Sequence, residues 1–189
     1  MSGARDARFA PFEPLRPDAR PVSDLLLRPA RREDALPLAR MLHEREGAPV
    51  DELLARLSAR LEAPGGRFLL VAAVGDEVAG FGEAALFRPP PDAPAHSAPQ
   101  GWYLGGLLVR PGLRRRGIGT ELTRERLRWI SARASRAYYF ANSRNLASIA
   151  LHRRLGFREE TRCFWYPGVS FVGGEGILFS VPLPPAAGG

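Results

Sequence analysis

The chain has 189 residues with 27 basic against 20 acidic side chains, a formal net charge of +7, and it contains no lysine, so the surplus is carried by arginine. That length suits one domain with a real core, and the surplus favours an anionic partner without separating nucleic acid from a phosphorylated cofactor. A single cysteine, Cys163, excludes an intrachain disulfide and a cysteine-built zinc site, fits a reducing cytoplasm, and accompanies a sequence in which no stretch approaches the roughly 20 apolar residues of a membrane span.

Residues 1–23 are rich in Pro, Arg and Ala without periodicity, which predicts a loosely held arm before a domain spanning 24–184. Leu25 to Arg28 reads as a short strand stopped by Pro29. Ala35, Leu38, Ala39 and Leu42 then recur at helical spacing, with Glu33 and Asp34 at the start and Gly47 at the end. Pro37 is confined to the first turn of that helix. A second helix opens at Pro49, carries a stripe of Val50, Leu53, Leu54, Leu57 and Leu61, and closes at Pro64, Gly65 and Gly66. From Arg67 the pattern changes to two strands joined by a tight turn at Gly75 and Asp76, a predicted hairpin. The proline-rich stretch 88–101 cannot be regular structure and is expected to be a lid or a disordered loop. A strand over Trp102–Val109, a helix over Gly117–Ala134, a strand over Ala137–Asn142 and a short helix over Asn145–Gly156 follow, then strands over 157–166 and 175–183 and a frayed tail at 185–189. In the long helix Ile118, Leu122, Leu127, Trp129 and Ile130 share one side, and Glu121, Arg124, Glu125 and Arg128 the other.

The stretch "RPGLRRRGIGTEL", residues 110–122, combines strongly cationic side chains with absent ones. A strand feeding a helix through a glycine-containing loop exposes unpaired N–H groups at the positive end of the helix dipole. Gly117 and Gly119 remove side chains that would hold a phosphate away, and Arg114, Arg115 and Arg116 add attraction and forked hydrogen bonding. A Walker loop needs a lysine and is excluded. A dinucleotide fingerprint needs a third glycine where Leu122 stands. A solvated basic turn and a nucleic-acid contact remain open from the loop alone, although the other arginines are interleaved with acids and no nucleic-acid motif is visible.

Two motifs together carry a resemblance. Arg114-x-x-Gly117-x-Gly119, preceded by Val109 and Pro111 and followed by Leu122, resembles the cofactor motif of the GNAT superfamily of acyl-CoA-dependent N-acyltransferases, and "NLASIALHRRLGF" resembles its second motif through Asn145, Leu151, Gly156 and Phe157. The likeness covers about Leu25 to Leu183. It implies an α/β GNAT fold, a mixed central sheet of about six to seven strands flanked by about four helices. It further implies acetyl-CoA as cosubstrate, with no metal. Its pyrophosphate would lie on main-chain amides of Arg115, Arg116, Gly117, Ile118, Gly119 and Thr120 near Arg114. Its pantetheine arm would pair with Leu107, Leu108 and Val109 and meet Asn145 from the other side. A primary amine would attack the thioester directly while a strand N–H polarises the carbonyl.

Where the family commonly has a proton-donating tyrosine this chain has His152. With an ordinary pKa near 6.5, about a quarter of it would be cationic at pH 7, so it is a candidate catalytic residue alongside its packing role. Glu83 is the candidate base or substrate holder, against a reading as a strand residue paired with arginine. Glu159 and Glu160 are further options, and Cys163 is expected to be structural. Trp102, Tyr103, Trp165 and Tyr166 line either an acceptor pocket or the core. The expected acceptor is a small-molecule amine; the segment around His152 also resembles aminoglycoside 6'-N-acetyltransferases, against which the basic net charge argues. A protein or peptide amine is the alternative, and a non-catalytic acyl-CoA module or nucleic-acid binder is the alternative of another class. No membrane partner is expected, and a homodimer is left open.

Overall fold

The computed structural model describes residues 22–62 and 65–184. The expected N-terminal arm lies outside them except for its last two residues, and the expected frayed tail lies outside them entirely. Seven strands form one sheet in the order β1-β2-β3-β4-β5-β7-β6: β1 (Leu25–Pro29), β2 (Arg67–Val74), β3 (Glu77–Phe87), β4 (Gly101–Val109), β5 (Arg136–Asn142), β6 (Arg158–Thr161) and β7 (Gly176–Pro182). Only β4 and β5 run parallel; the other five pairings are antiparallel. Among the described residues four helices flank the sheet: α1 (Ala35–Glu46), α2 (Val50–Glu62), α3 (Ile118–Ser131) and α4 (Leu146–Arg154).

On one face α1 and α2 set Leu38, Leu42, Leu53 and Leu57 against Val71, Val78, Phe81 and Leu108. On the other, α3 sets Ile118 and Leu122 against Leu70, Ala72 and Ala79, and Ile130 joins the α4 residue Ile149 in a cluster with Leu104, Tyr139 and Phe179. Removing that much apolar surface from water is what holds the layers together. The helix signals act as expected, with Gly47 closing α1 at φ 74°. The acids before α1 do more than face its dipole. Asp34, 2 % exposed, receives both Nη groups of Arg28 at 2.6 and 2.8 Å and the Arg31 N–H at 2.6 Å, tying β1 to the start of α1. Burial pushes its carboxyl up, but Arg28 and Arg31 outweigh burial and hold it below the ordinary value.

Two expectations need correction. The strand expected over 157–166 ends at Thr161, because the chain bends there and Thr161 Oγ1 accepts the Cys163 N–H at 3.0 Å. Cys163, expected to be structural, is exposed. The proline-rich stretch is neither strand nor helix, yet it is anchored: Ala98 N–H donates to Trp165 O at 2.8 Å, Trp165 N–H donates to His96 O at 2.9 Å, and Ala98 is buried beside Phe87 and Tyr103.

Candidate active site

The site grows from the one parallel pair. The β4–β5 ladder holds only Trp102 to Leu104 against Ala137 to Tyr139 and then ends, so the two strands part toward their C-terminal ends. Both following helices begin at that edge, α3 after β4 and α4 after β5, which gathers two positive helix ends at one cleft. Gly105 and Gly106 are exposed although they sit in the fourth strand of a seven-stranded sheet. Side chains there would fill the cleft, and their absence leaves bare backbone.

A β-bulge shapes this backbone. Phe81 faces Leu108 and Glu83 faces Gly105, so two steps along β3 span three along β4, and Gly106 takes up the extra residue at φ 60°. Beneath the bulge lies Arg126, 0 % exposed. Its Nη1 donates to the carbonyls of Glu83 and Gly105 at 2.8 and 3.0 Å, Nε to Leu122 O at 3.0 Å, and Nη2 to Thr123 Oγ1 at 3.1 Å. Burial pushes its pKa down to about 9, with Glu83 opposing. Gly82 makes the room: a Cβ there would fall 2.6 Å from the Arg126 Cζ. The sequence pattern marked the charged face of α3 by its neighbours and missed Arg126; its place among buried Leu122, Thr123 and Ile130 was the available signal.

Beyond the end of β4 the chain turns sharply before α3. Arg115 (φ 65°) and Gly117 (φ 90°) adopt left-handed backbone on either side of Arg116. A non-glycine residue held there is an uncommon, strained conformation of the kind found at ligand sites. Gly117 caps α3, and a Cβ on it would meet nothing within 4 Å, so its face is open. Gly119 lies close under the strand end, its Cβ position 3.3 Å from Leu151 Cδ1 and 3.8 Å from Leu107 Cδ2. The amides of Gly117, Ile118 and Gly119 have no carbonyl one turn back to receive them. The Thr120 N–H, expected to join them, turns instead to Gly117 O at 2.9 Å. Arg114 folds its Nε onto Val109 O at 3.1 Å, closing the strand end, and the Arg115 Nε is buried without a hydrogen-bond partner. Leu107 and Val109 face α3, whereas Leu108 faces α1 and α2.

Across the cleft Asn145 caps α4, its Oδ1 accepting the Ser148 N–H at 3.3 Å, so its amide nitrogen remains to donate. His152, 2 % exposed, stacks on Tyr139 with ring centroids 3.6 Å apart. Its Nδ1 lies 2.9 Å from Ser148 O and therefore carries the proton, which makes Nε2 an acceptor; that atom is buried and without a partner. Burial, with Arg126 adding repulsion, pushes its pKa down to about 3. The expected quarter cationic at pH 7 is thus corrected: the ring is neutral there.

Glu83 stands beside Gly106, its Cβ 3.6 Å from a Cβ placed on that glycine, on the face opposite α3. Arg67 Nη1 donates to its Oε1 at 2.8 Å, and Arg60 Nη1 lies 3.6 Å from its Oε2. Beside this trio Phe87, Tyr103, Phe140 and Tyr166 form an aromatic wall, with the Tyr166 ring 4.4 Å from Phe87 and 4.9 Å from Phe140. Trp102 belongs to the other face, edge-on to Trp129 at 4.9 Å. Glu159 and Glu160 lie on β6, three strand positions from β4 and so roughly 14 Å away, ion-paired with Arg162 and Arg136 respectively. That separation removes them as bases for this cleft. A cavity of about 350 Å³ between Arg136, Tyr138, Glu160 and Phe164 sits toward the other strand ends; apart from Glu160 it is lined by neither His152, Glu83 nor any expected cofactor-binding residue.

No helix among the described residues is long and apolar enough to cross a membrane. Solved structures share the architecture. An N-acetyltransferase from Staphylococcus aureus Mu50 superposes with a TM-score of 0.65 at 17 % identity, covering 86 % of this chain and 100 % of the other. A ribosomal-protein-alanine N-acetyltransferase from Brucella melitensis gives 0.63 at 23 %, covering 84 % and 99 %. The yncA protein of Salmonella typhimurium, solved with its cofactor acetyl-CoA, gives 0.62 at 20 %, covering 88 % and 98 %. Curated protein sequences give no match. The sequence profile described as the acetyltransferase (GNAT) family matches residues 30–157, over half of the chain and including the cleft, the turn before α3 and His152. The chain belongs to the acetyltransferase (GNAT) family.

Proposed function

We propose that the protein moves the acetyl group of acetyl-CoA to the primary amine of a small molecule, by direct attack while both substrates are bound. The observation that carries this reading is the pair of exposed glycines in mid-sheet, next to a helix start with uncovered amides. The fit with acetyl-CoA is physical. The left-handed turn at Arg115 and Gly117 suits a diphosphate, the buried Arg115 Nε lacks a partner, and the β4 edge beyond Leu104 offers main-chain groups to the amides of the pantetheine arm. Asn145 would meet that arm from the α4 side.

In the transfer the amine lone pair attacks the thioester carbon, the C–S bond breaks, and the thiolate leaves. An amine that arrives as its ammonium first releases one proton to solvent to expose the lone pair; after attack the nitrogen sheds a second proton and the thiolate gains one. Glu83, next to Gly106, receives the amine's proton directly or through water, and the Arg67 and Arg60 guanidiniums fix the carboxylate in place. A neutral His152 with its proton on Nδ1 does not donate from Nε2; it accepts a hydrogen bond from the arm, and the thiolate takes its proton from solvent. Two arginines around one carboxylate leave this side of the cleft with a net positive charge. That disfavours a polycationic aminoglycoside and favours an amine with one cationic centre and an apolar body to lie on Tyr166 and Phe140. The test follows thiol release from acetyl-CoA over a panel of monoamines, amino acids, peptides and aminoglycosides. Turnover with a small monoamine or amino acid supports the reading, whereas CoA binding with no thiol release for any amine contradicts it.

A further inference from the structure

We propose that Arg126 is a positioning residue for acyl transfer, a buried cation that fixes the β3–β4 bulge and, through the Gly105 carbonyl, aims and strengthens the Gly106 N–H as the donor to the thioester oxygen. This rests on the acetyltransferase reading and adds a residue that the two sequence motifs do not contain.

The geometry gives the direction. Within a strand, the N–H and C=O of one residue point to the same neighbour and alternate from residue to residue. Gly105 turns its carbonyl toward β3, where Arg126 Nη1 takes it at 3.0 Å together with the Glu83 carbonyl at 2.8 Å. The peptide bond is trans, so the N–H of Gly106 points the opposite way, toward β5. Because the parallel ladder ends at Leu104 with Tyr139, Gly106 is the first β5-facing residue of β4 beyond it, and its amide opens into the cleft. One peptide unit therefore has a buried guanidinium on its oxygen and the substrate cleft at its nitrogen. A cation bonded to a carbonyl draws electron density from the same amide and makes its N–H a better donor, an effect that low dielectric enlarges.

The buried charge is costly, and the chain accommodates it instead of avoiding it. No carboxylate bonds Arg126; its partners are three main-chain carbonyls and one hydroxyl, and Gly82 is bare where any Cβ would strike the guanidinium. An apolar residue at 126 would fill the space with less desolvation but would leave the bulge carbonyls of Glu83 and Gly105 without this donor. Preorganised donors of this kind act on the developing oxyanion and not on cofactor affinity.

The test is difference infrared spectroscopy of acetyl-CoA carrying ¹³C in the thioester carbonyl, bound to the full chain, which needs no knowledge of the acceptor. In the wild type the carbonyl stretch is expected at lower wavenumber than in free acetyl-CoA. Arg126→Met is expected to return it most of the way, Arg126→Lys to keep most of the shift, and Gly82→Ala, which pushes the guanidinium aside with its charge intact, to reduce it. With whichever amine turns over, kcat in Arg126→Met falls on the order of 10- to 100-fold while the Kd for CoA stays within about threefold. If Arg126→Met does not fold, Gly82→Ala and Arg126→Lys decide. An unchanged stretch in a folded Arg126→Met or Gly82→Ala variant, or a loss of CoA affinity equal to the loss of kcat, overturns the proposal. Absence of acetyl-CoA binding to the wild type overturns the acetyltransferase reading itself, and this inference with it.

Discussion

His152 carries a sharp pH signature at the scale of one residue. Its pKa is lowered from the ordinary 6.5 to about 3, chiefly by burial, so between those values the unfolded chain binds a proton that the folded chain does not. Stability therefore rises with pH through this window and is lost as pH falls below 6.5, by about 2 kcal/mol at pH 5 relative to pH 8. Replacing His152 with Phe, which keeps a ring over Tyr139, is expected to flatten the pH 5–8 slope of urea unfolding; an unchanged slope would show that the histidine titrates normally. Glu83 is tested separately. As base it gives a Glu83→Gln variant with kcat lowered on the order of 100-fold and a Kd for CoA within twofold of wild type, and an unaltered kcat would leave it only its ion pairs with Arg60 and Arg67.

Elements were legible in the sequence where a single period ruled them and illegible where two demands met. The stripes of α1 and α2 match their burial because each faces one core, and β2 reads as a continuous apolar run because it is covered on both faces. In α3 the apolar stripe was readable but the burial of Arg126 was not, because its one signal is its place between Leu122 and Ile130 on that stripe, where an arginine counts against a hydrophobic period. The early end of β6 was equally hidden: the residues from Arg158 to Thr161 are polar, and only their pairing with β7 makes them a strand. Asp34 shows a similar limit, since its position announced a helix start but not its bidentate bond to Arg28 on β1. Asp34→Asn leaves that guanidinium without its anion and is expected to lower unfolding stability by about 3 kcal/mol, measured by denaturant titration at pH 7. A loss below half that figure would mean that the pair is solvent-screened.

Over the whole molecule, the proposed function rests on one interruption of an otherwise continuous sheet. Six pairings hold the strands, and the single parallel one ends after three residue pairs, at the edge where α3 and α4 begin. The two motifs in the sequence mark the two lips of that opening, Arg114 to Gly119 on one and Asn145 to Phe157 on the other, which is why the cofactor half of the proposed site stands out in the sequence. On the proposed acceptor side Glu83, Tyr103 and Tyr166 were named but Arg60 and Arg67 were not, because the five come from five separate segments with no common spacing. The central claim is that the uncovered amides at the start of α3 hold the diphosphate of the acyl carrier. Calorimetric titration of CoA into the wild type and Gly117→Leu tests it most directly: the open face leaves room for the side chain, the φ of 90° strains the turn, and urea unfolding of the variant checks that the fold survives. The account predicts one site in the wild type and a Kd at least about tenfold higher in the variant; equal affinity in the two proteins would contradict it.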